Sequence, residues 1–198
     1  MSLKNLFISI LIQTLILCYF SQNSYAGPFG TNMGDKPEQF EGLTLITSNT
    51  KEQTYKANKL PKNHSYLASY ELTFRKSGLA QIIGASSPYE DGYCNETRKI
   101  YDTIKSQLSN KYHNPDDINE FDMSVKDMGE RFFCYTLYEN KRKHFCKWTK
   151  NLPNDIKEIM LGIAATSKDT SAVLIMIKYK NIDEEYKVID NKSDSDAL

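Results

Sequence analysis

After residue 20 the 198-residue chain has no apolar run near the ~20 residues that a membrane-spanning helix requires, which excludes a spanning segment beyond the extreme N-terminus. It has no excess of either charge: 25 Lys and Arg stand against 25 Asp and Glu. A balanced chain lacks the basic footprint that a phosphate backbone demands, so nucleic acid is excluded as the main partner. A polyanionic ligand is excluded as a bulk effect on the same ground. No G-x-S-x-G elbow and no G-x-x-x-x-G-K-[ST] phosphate loop occurs, and no cofactor is implied. Histidine is scarce. His64, His113 and His144 are placed in a loop, at a helix end and in a strand, a scatter that nominates no general base. The adjacent acids Glu90 with Asp91, and Asp116 with Asp117, diverge in direction as sequence neighbours do. They read as loop solvation and helix capping rather than as an acid–base couple.

What is present starts at the N-terminus. Lys4 precedes an apolar stretch over residues 6–20, broken only by Ser9, Gln13 and Thr14, and Ser24-Tyr25-Ala26 follows. Small residues at −3 and −1 suit a signal peptidase, which predicts a secretory signal over 1–26 cut between Ala26 and Gly27. The competing readings are an uncleaved anchor and a lipoprotein with Cys18 lipidated; Leu17 stands before that cysteine where a small residue is needed. Loss of Lys4 would leave 24 basic against 25 acidic residues. The remainder suits a single α+β domain over 27–182 with possible sub-units 27–86 and 94–181, followed by a charged, partly disordered tail over 183–198. A periplasmic or secreted location follows from the signal.

Three cysteines remain in the mature chain, Cys94, Cys134 and Cys146, an odd number in an oxidising compartment. Cys134 and Cys146 flank a predicted turn and are the favoured pair. Bridges from Cys94 to either of them stay open. A zinc site built from Cys134, His144 and Cys146 is conceivable, but it lacks a paired C-x-x-C and a fourth ligand.

Hydrophobic periodicity predicts the elements. Residues 35–42 suit a short helix capped by Asp35, and residues 43–47 and 53–60 suit strands. Tyr66, Ala68, Tyr70, Leu72 and Phe74 alternate with Leu67, Ser69, Glu71, Thr73 and Arg75, predicting a half-buried strand that turns at Lys76-Ser77-Gly78 into a partner over 79–85. A helix over 96–112, capped by Asn95, buries Ile100, Ile104 and Leu108 with Tyr101 and Tyr112. A second helix is predicted from Pro115 to Met128, capped by Asn114, with Ile118, Phe121, Val125 and Met128 as its face. Residues 132–138 and 144–149 form a predicted hairpin, and strands follow over 156–165 and 171–179. Val173, Leu174, Ile175, Met176 and Ile177 are apolar on both faces, so the last strand is central. The fold class is α+β: an antiparallel sheet with helices on one face, for which two tandem helix-plus-four-strand units are one arrangement that the element order allows.

That layout resembles the tandem helix-plus-four-strand architecture of the β-lactamase inhibitor protein, and is similar to small periplasmic proteins of the outer-membrane assembly lipoprotein type. Phe29-Gly30, Met33-Gly34, Leu108-Ser109-Asn110-Lys111-Tyr112 and Asp196-Ala197-Leu198 also resemble uncharacterised bacterial exported proteins. The resemblance implies a fold, an envelope compartment and a binding role; it assigns no functional residue. The assembly lipoproteins carry a small residue before their cysteine, which this chain lacks.

Lys141, Arg142, Lys143, Phe145 and Trp148, with His144, Lys147 and Lys150, form the densest basic patch and surround a predicted hairpin turn. They are the candidate contact loop for an acidic protein or an anionic envelope lipid; a merely solvated turn is the competing reading. The expectation is an exported, non-enzymatic binding or inhibitor-like protein whose partner is another protein. The alternatives are a secreted enzyme with an unrecognised site and an envelope-assembly accessory factor.

Overall fold

The computed structural model describes residues 27–119, 132–153 and 155–182. The predicted signal segment over 1–26, most of the predicted second helix and the tail predicted over 183–198 lie outside them. Among the described residues nine strands form one antiparallel sheet. They are β1 (Thr44–Ser48), β2 (Glu52–Ala57), β3 (Ser69–Arg75), β4 (Gly78–Ala85), β5 (Tyr89–Glu90), β6 (Asp117–Asn119), β7 (Phe145–Trp148), β8 (Ile156–Ala165) and β9 (Thr170–Tyr179). The spatial order is β1-β2-β3-β4-β9-β8-β7-β6, with β5 extending the β4 side of β9. Two meanders therefore meet where β9 pairs with β4, and β9 is central as its apolar character implies.

Register explains the core. Tyr70 and Leu72 of β3 stand beside Gly84 and Ile82 of β4; these in turn face Ile175 and Ile177 of β9, and β9 pairs Leu161 and Ile159 of β8. Paired residues share a face, and this face is buried from Tyr70 through to Trp148. The long helix α1 (Asn95–Tyr112) lies on it, burying Ile100, Tyr101 and Ile104, with Leu108 half-buried. Each such side chain contributes about 1.5–3 kcal/mol when fully buried. The N-terminal segment covers the same face farther along, where Phe29 meets Tyr70 and Phe40 meets Phe74 edge to face. Tyr179 closes that end. Its hydroxyl is 2.8 Å from Thr31 Oγ1, and burial pushes the phenol up to about 12 despite that bond. Gly78 makes the β3–β4 turn possible. Its φ is +100°, and a Cβ there would stand 2.1 Å from the Gly34 carbonyl oxygen.

Four local expectations are corrected. Residues 35–42 make only a 3-10 turn, Pro37–Gln39, in which Lys36 rather than Asp35 precedes the first turn. Helix α1 includes Asn95; its N-terminal donors are capped by Asp91, whose carboxylate accepts from the backbone N–H of Tyr93, Asn95 and Glu96. Desolvation works to raise the Asp91 carboxyl, but those three donors and Lys99 outweigh it and hold it below the usual carboxylate range. The predicted second helix does not start at Pro115. Residues 117–119 are the edge strand β6, Ile118 is exposed, and Asp116 accepts from the backbone N–H of Thr149 and Lys150. Finally, residues 133–138 are not a strand but the helix α2 (Phe133–Tyr138), with Phe133, Cys134, Thr136 and Leu137 buried. Aromatic and β-branched residues favour strands only as a weak prior, and packing against β8 decides otherwise here.

Candidate functional site

That last correction redirects the disulfide. With residues 133–138 helical, Cys134 no longer faces Cys146 across a hairpin. It is bonded instead to Cys94, at the start of α1, with a Cα separation of 5.5 Å. Cys146 stays outside the bridge and is buried on β7. The bridge ties α2 to the N-terminus of α1, where Thr97 Oγ1 lies 2.8 Å from Ser171 Oγ of β9. Cys134 has therefore no thiolate to offer a metal, and the set Cys134, His144 and Cys146 does not assemble. The His144 ring lies instead against Tyr101 and Phe133, at 4.6 Å and 5.1 Å between centroids. Among the described residues no group of three His, Cys, Asp or Glu is placed to hold a metal ion.

The contact-loop residues separate into two sets. Trp148 is fully buried on the helix-bearing face, and its Nε1–H donates to the His113 carbonyl at 2.7 Å. Arg142 is only 4% exposed; its guanidinium lies 4.9 Å from the centre of the Phe133 ring, and Arg98 lies 4.8 Å from the same ring. Trp148 leaves the contact surface, and Arg142 is held against the Phe133 ring at its edge. Lys141 and Lys143 are exposed, and Phe145 is half-buried.

Phe145 leads to a surface that sequence patterning missed. It pairs with Gly162, which pairs with Leu174, which stands beside Ala85. In the adjoining row Lys147, Met160, Met176 and Ile83 are neighbours. All these positions alternate with the core and so lie on the opposite face of the sheet. Ile83, Phe145, Met160, Leu174 and Met176 are each half-buried. Helix α1 and the N-terminal segment lie against the other face, and α2 with its following turn reaches only the rim of this one, through Leu137 and Asn140; among the described residues no other element is seen against this apolar island. It is bounded toward one end by a polar row of Gln81, Lys178 and Glu158, where Lys178 and Glu158 make a 3.1 Å ion pair. Toward the other end the turn after α2 frames a hollow of about 330 Å³, with Asn140, Arg142 and Lys143 beside Leu174, Met160 and Met176. The island does have a signal in the sequence, the two-faced apolarity of residues 173–177, which implied centrality but left the second face unassigned.

The remaining polar groups have local tasks. His64 Nε2 is 2.9 Å from Gln107 Oε1 and links the loop before β3 to α1. His113 bonds through its ring nitrogens to the carbonyls of Lys150 and Asn114, which hold its pKa above the ordinary histidine value. Asp116 lies nearby, and its bond from the Thr149 backbone N–H is the main cause of its lowered pKa.

Comparison of the chain with protein-family models, with curated proteins and with solved structures finds no match. The disulfide, and the absence among the described residues of a helix long and apolar enough to cross a membrane, are both compatible with an exported protein.

Proposed function

We propose that the chain is an exported, non-enzymatic binding or inhibitor-like protein of the bacterial envelope that grips another protein with the open face of its sheet. The observation that carries this reading is the apolar island of Ile83, Met160, Leu174 and Met176 with Phe145 at its border. Contiguous apolar surface on a folded domain marks an interaction site, and unbranched Met side chains adapt to a partner's shape. Lys143 at the hollow, with the exposed Lys141 two residues before it, favours a partner segment with apolar anchors and acidic flanks, by charge complementarity. The paired Met160 and Met176 would supply contact area, and the lysines orientation and on-rate.

The test is affinity capture from periplasmic extract with the mature chain as bait, read by mass spectrometry. A partner must be retained by the wild type and lost by Met176→Asp, with the fold of the variant checked by near-UV circular dichroism, because Met176 is half-buried on the face away from α1. The pair Lys141→Glu and Lys143→Glu should weaken capture most at low salt, where the Debye length is long. Capture indifferent to both sets of changes would refute the assignment of this face.

A further inference from the structure

We propose that the hollow under the C-terminal end of α1 is a processing-dependent docking site for the α-ammonium group that cleavage before Gly27 creates. This rests on the export reading and adds to it a defined site for the new terminus. Gly27 is built into the fold. Its backbone nitrogen donates to Asn32 Oδ1 at 3.3 Å, and its carbonyl accepts from Gly30 N–H at 3.1 Å. A Cβ at this position would lie 2.4 Å from the Thr31 carbonyl oxygen and 3.5 Å from the Tyr179 hydroxyl oxygen. Only glycine fits without moving backbone, so the position is sterically specified rather than a loose end.

The surroundings are those an ammonium group would seek. The hollow, about 310 Å³, is lined by Gly27, Asn32, Asp155 and Tyr179, with Lys111 and Tyr112 from α1. Asn32 is itself oriented: its backbone N–H donates to Asp35 Oδ2 at 2.7 Å, which places a second carboxylate in the same loop. Thr31, whose hydroxyl donates to the Pro28 carbonyl at 2.7 Å, locks the turn to Tyr179 at the sheet end. An amide nitrogen can give Asn32 one hydrogen. The ammonium made by hydrolysis of the Ala26–Gly27 bond carries three, and a positive charge that Asp35 and Asp155 stabilise and Lys111 opposes. In that hydrolysis water adds across the amide. Ala26 leaves as a carboxylate, and Gly27 keeps the nitrogen, which is protonated.

Three forms of the chain test the site: residues 27–198 with a native Gly27 terminus, the same chain preceded by Ala26, and Gly27→Ala. Melting is followed from pH 6 to 10, and the unmodified α-amine is titrated by NMR through the carbon shifts of 13C-labelled Gly27. The native terminus should melt about 2–4 °C above the Ala26-extended chain at pH 6–7, the shift of roughly one charge-assisted bond in a chain of this size. Its amine should titrate above the ordinary range of about 7.7–8.0. The folded pKa being raised, the advantage is complete below that range and disappears as pH rises through the folded value. Gly27→Ala should lose it at every pH. Equal melting of native and extended chains, or an amine titrating at or below its ordinary value, overturns the site. N-terminal sequencing of exported protein reports the cut separately; a start other than Gly27 removes the source of the amine and overturns the processing claim alone.

Discussion

Removing the Cys94–Cys134 bridge should destabilise the domain by more than any single surface change. The two residues are 40 apart in sequence. In the chain-entropy model a loop of that length loses about 13 cal/mol/K on closure, so the bridge stabilises the folded state by about 4 kcal/mol at 25 °C. The ~11-residue loop that Cys134 and Cys146 would have closed yields about 3 kcal/mol in the same model, so magnitude alone separates the two poorly and connectivity must be read directly. The perturbation is the double substitution Cys94→Ala and Cys134→Ala. Both side chains are fully buried, so alanine also removes a little packing, in the same direction. Urea unfolding of the mature chain should show a midpoint lower by about 2 M for a slope near 2 kcal/mol/M, and melting lower by about 8–16 °C. Wild type under strong reductant should fall to the same place, which separates the bridge from the packing term. Thiol titration of the oxidised wild type should find one reactive cysteine after denaturation, Cys146, and slow reaction before it because that thiol is buried. A bridged peptide containing Cys146 would refute the connectivity and the account of α2 that depends on it; a loss below about 1 kcal/mol would refute the loop-closure stabilisation.

Three further outcomes are expected. Ile104→Asp buries a carboxylate beneath α1, where Ile104 is 2% exposed; it should cost several kcal/mol and yield insoluble or largely unfolded protein. Asp91→Ala should lower stability by about 1 kcal/mol through loss of the α1 cap, as measured by urea unfolding at neutral pH. Because the folded Asp91 pKa is depressed, that contribution is present above about pH 4 and is lost as pH falls through the folded value, so the variant and wild type should converge in acid. His113 has a raised folded pKa. Its contribution is complete below about pH 6.5 and is lost as pH rises through the folded value, so His113→Gln should flatten wild type's decline in melting over that window.

Sequence alone determined the elements whose patterns are long and regular. The alternation of Tyr70, Leu72 and Phe74 marked β3 and its inward face, and Ile100 and Ile104 marked the buried stripe of α1. The two-faced apolarity of residues 173–177 placed β9 at the centre. These are properties of period and burial, and each is carried by many residues at once. Tertiary structure alone decided the rest. Residues 133–138 carry strand-like aromatics yet are helical, because a six-residue segment takes its conformation from the β8 surface and the bridge rather than from its own propensity. That choice moved Cys134 from Cys146 to Cys94, since a helix and a strand present their cysteines to different neighbours. It also divided the basic patch, sending Trp148 and Arg142 inward and leaving Lys141 and Lys143 outside. The apolar island, uncovered among the described residues, could not be read from any one segment. Ile83, Met160, Leu174 and Met176 become neighbours only through strand register, and whether an apolar face is core or contact surface depends on what other elements leave uncovered.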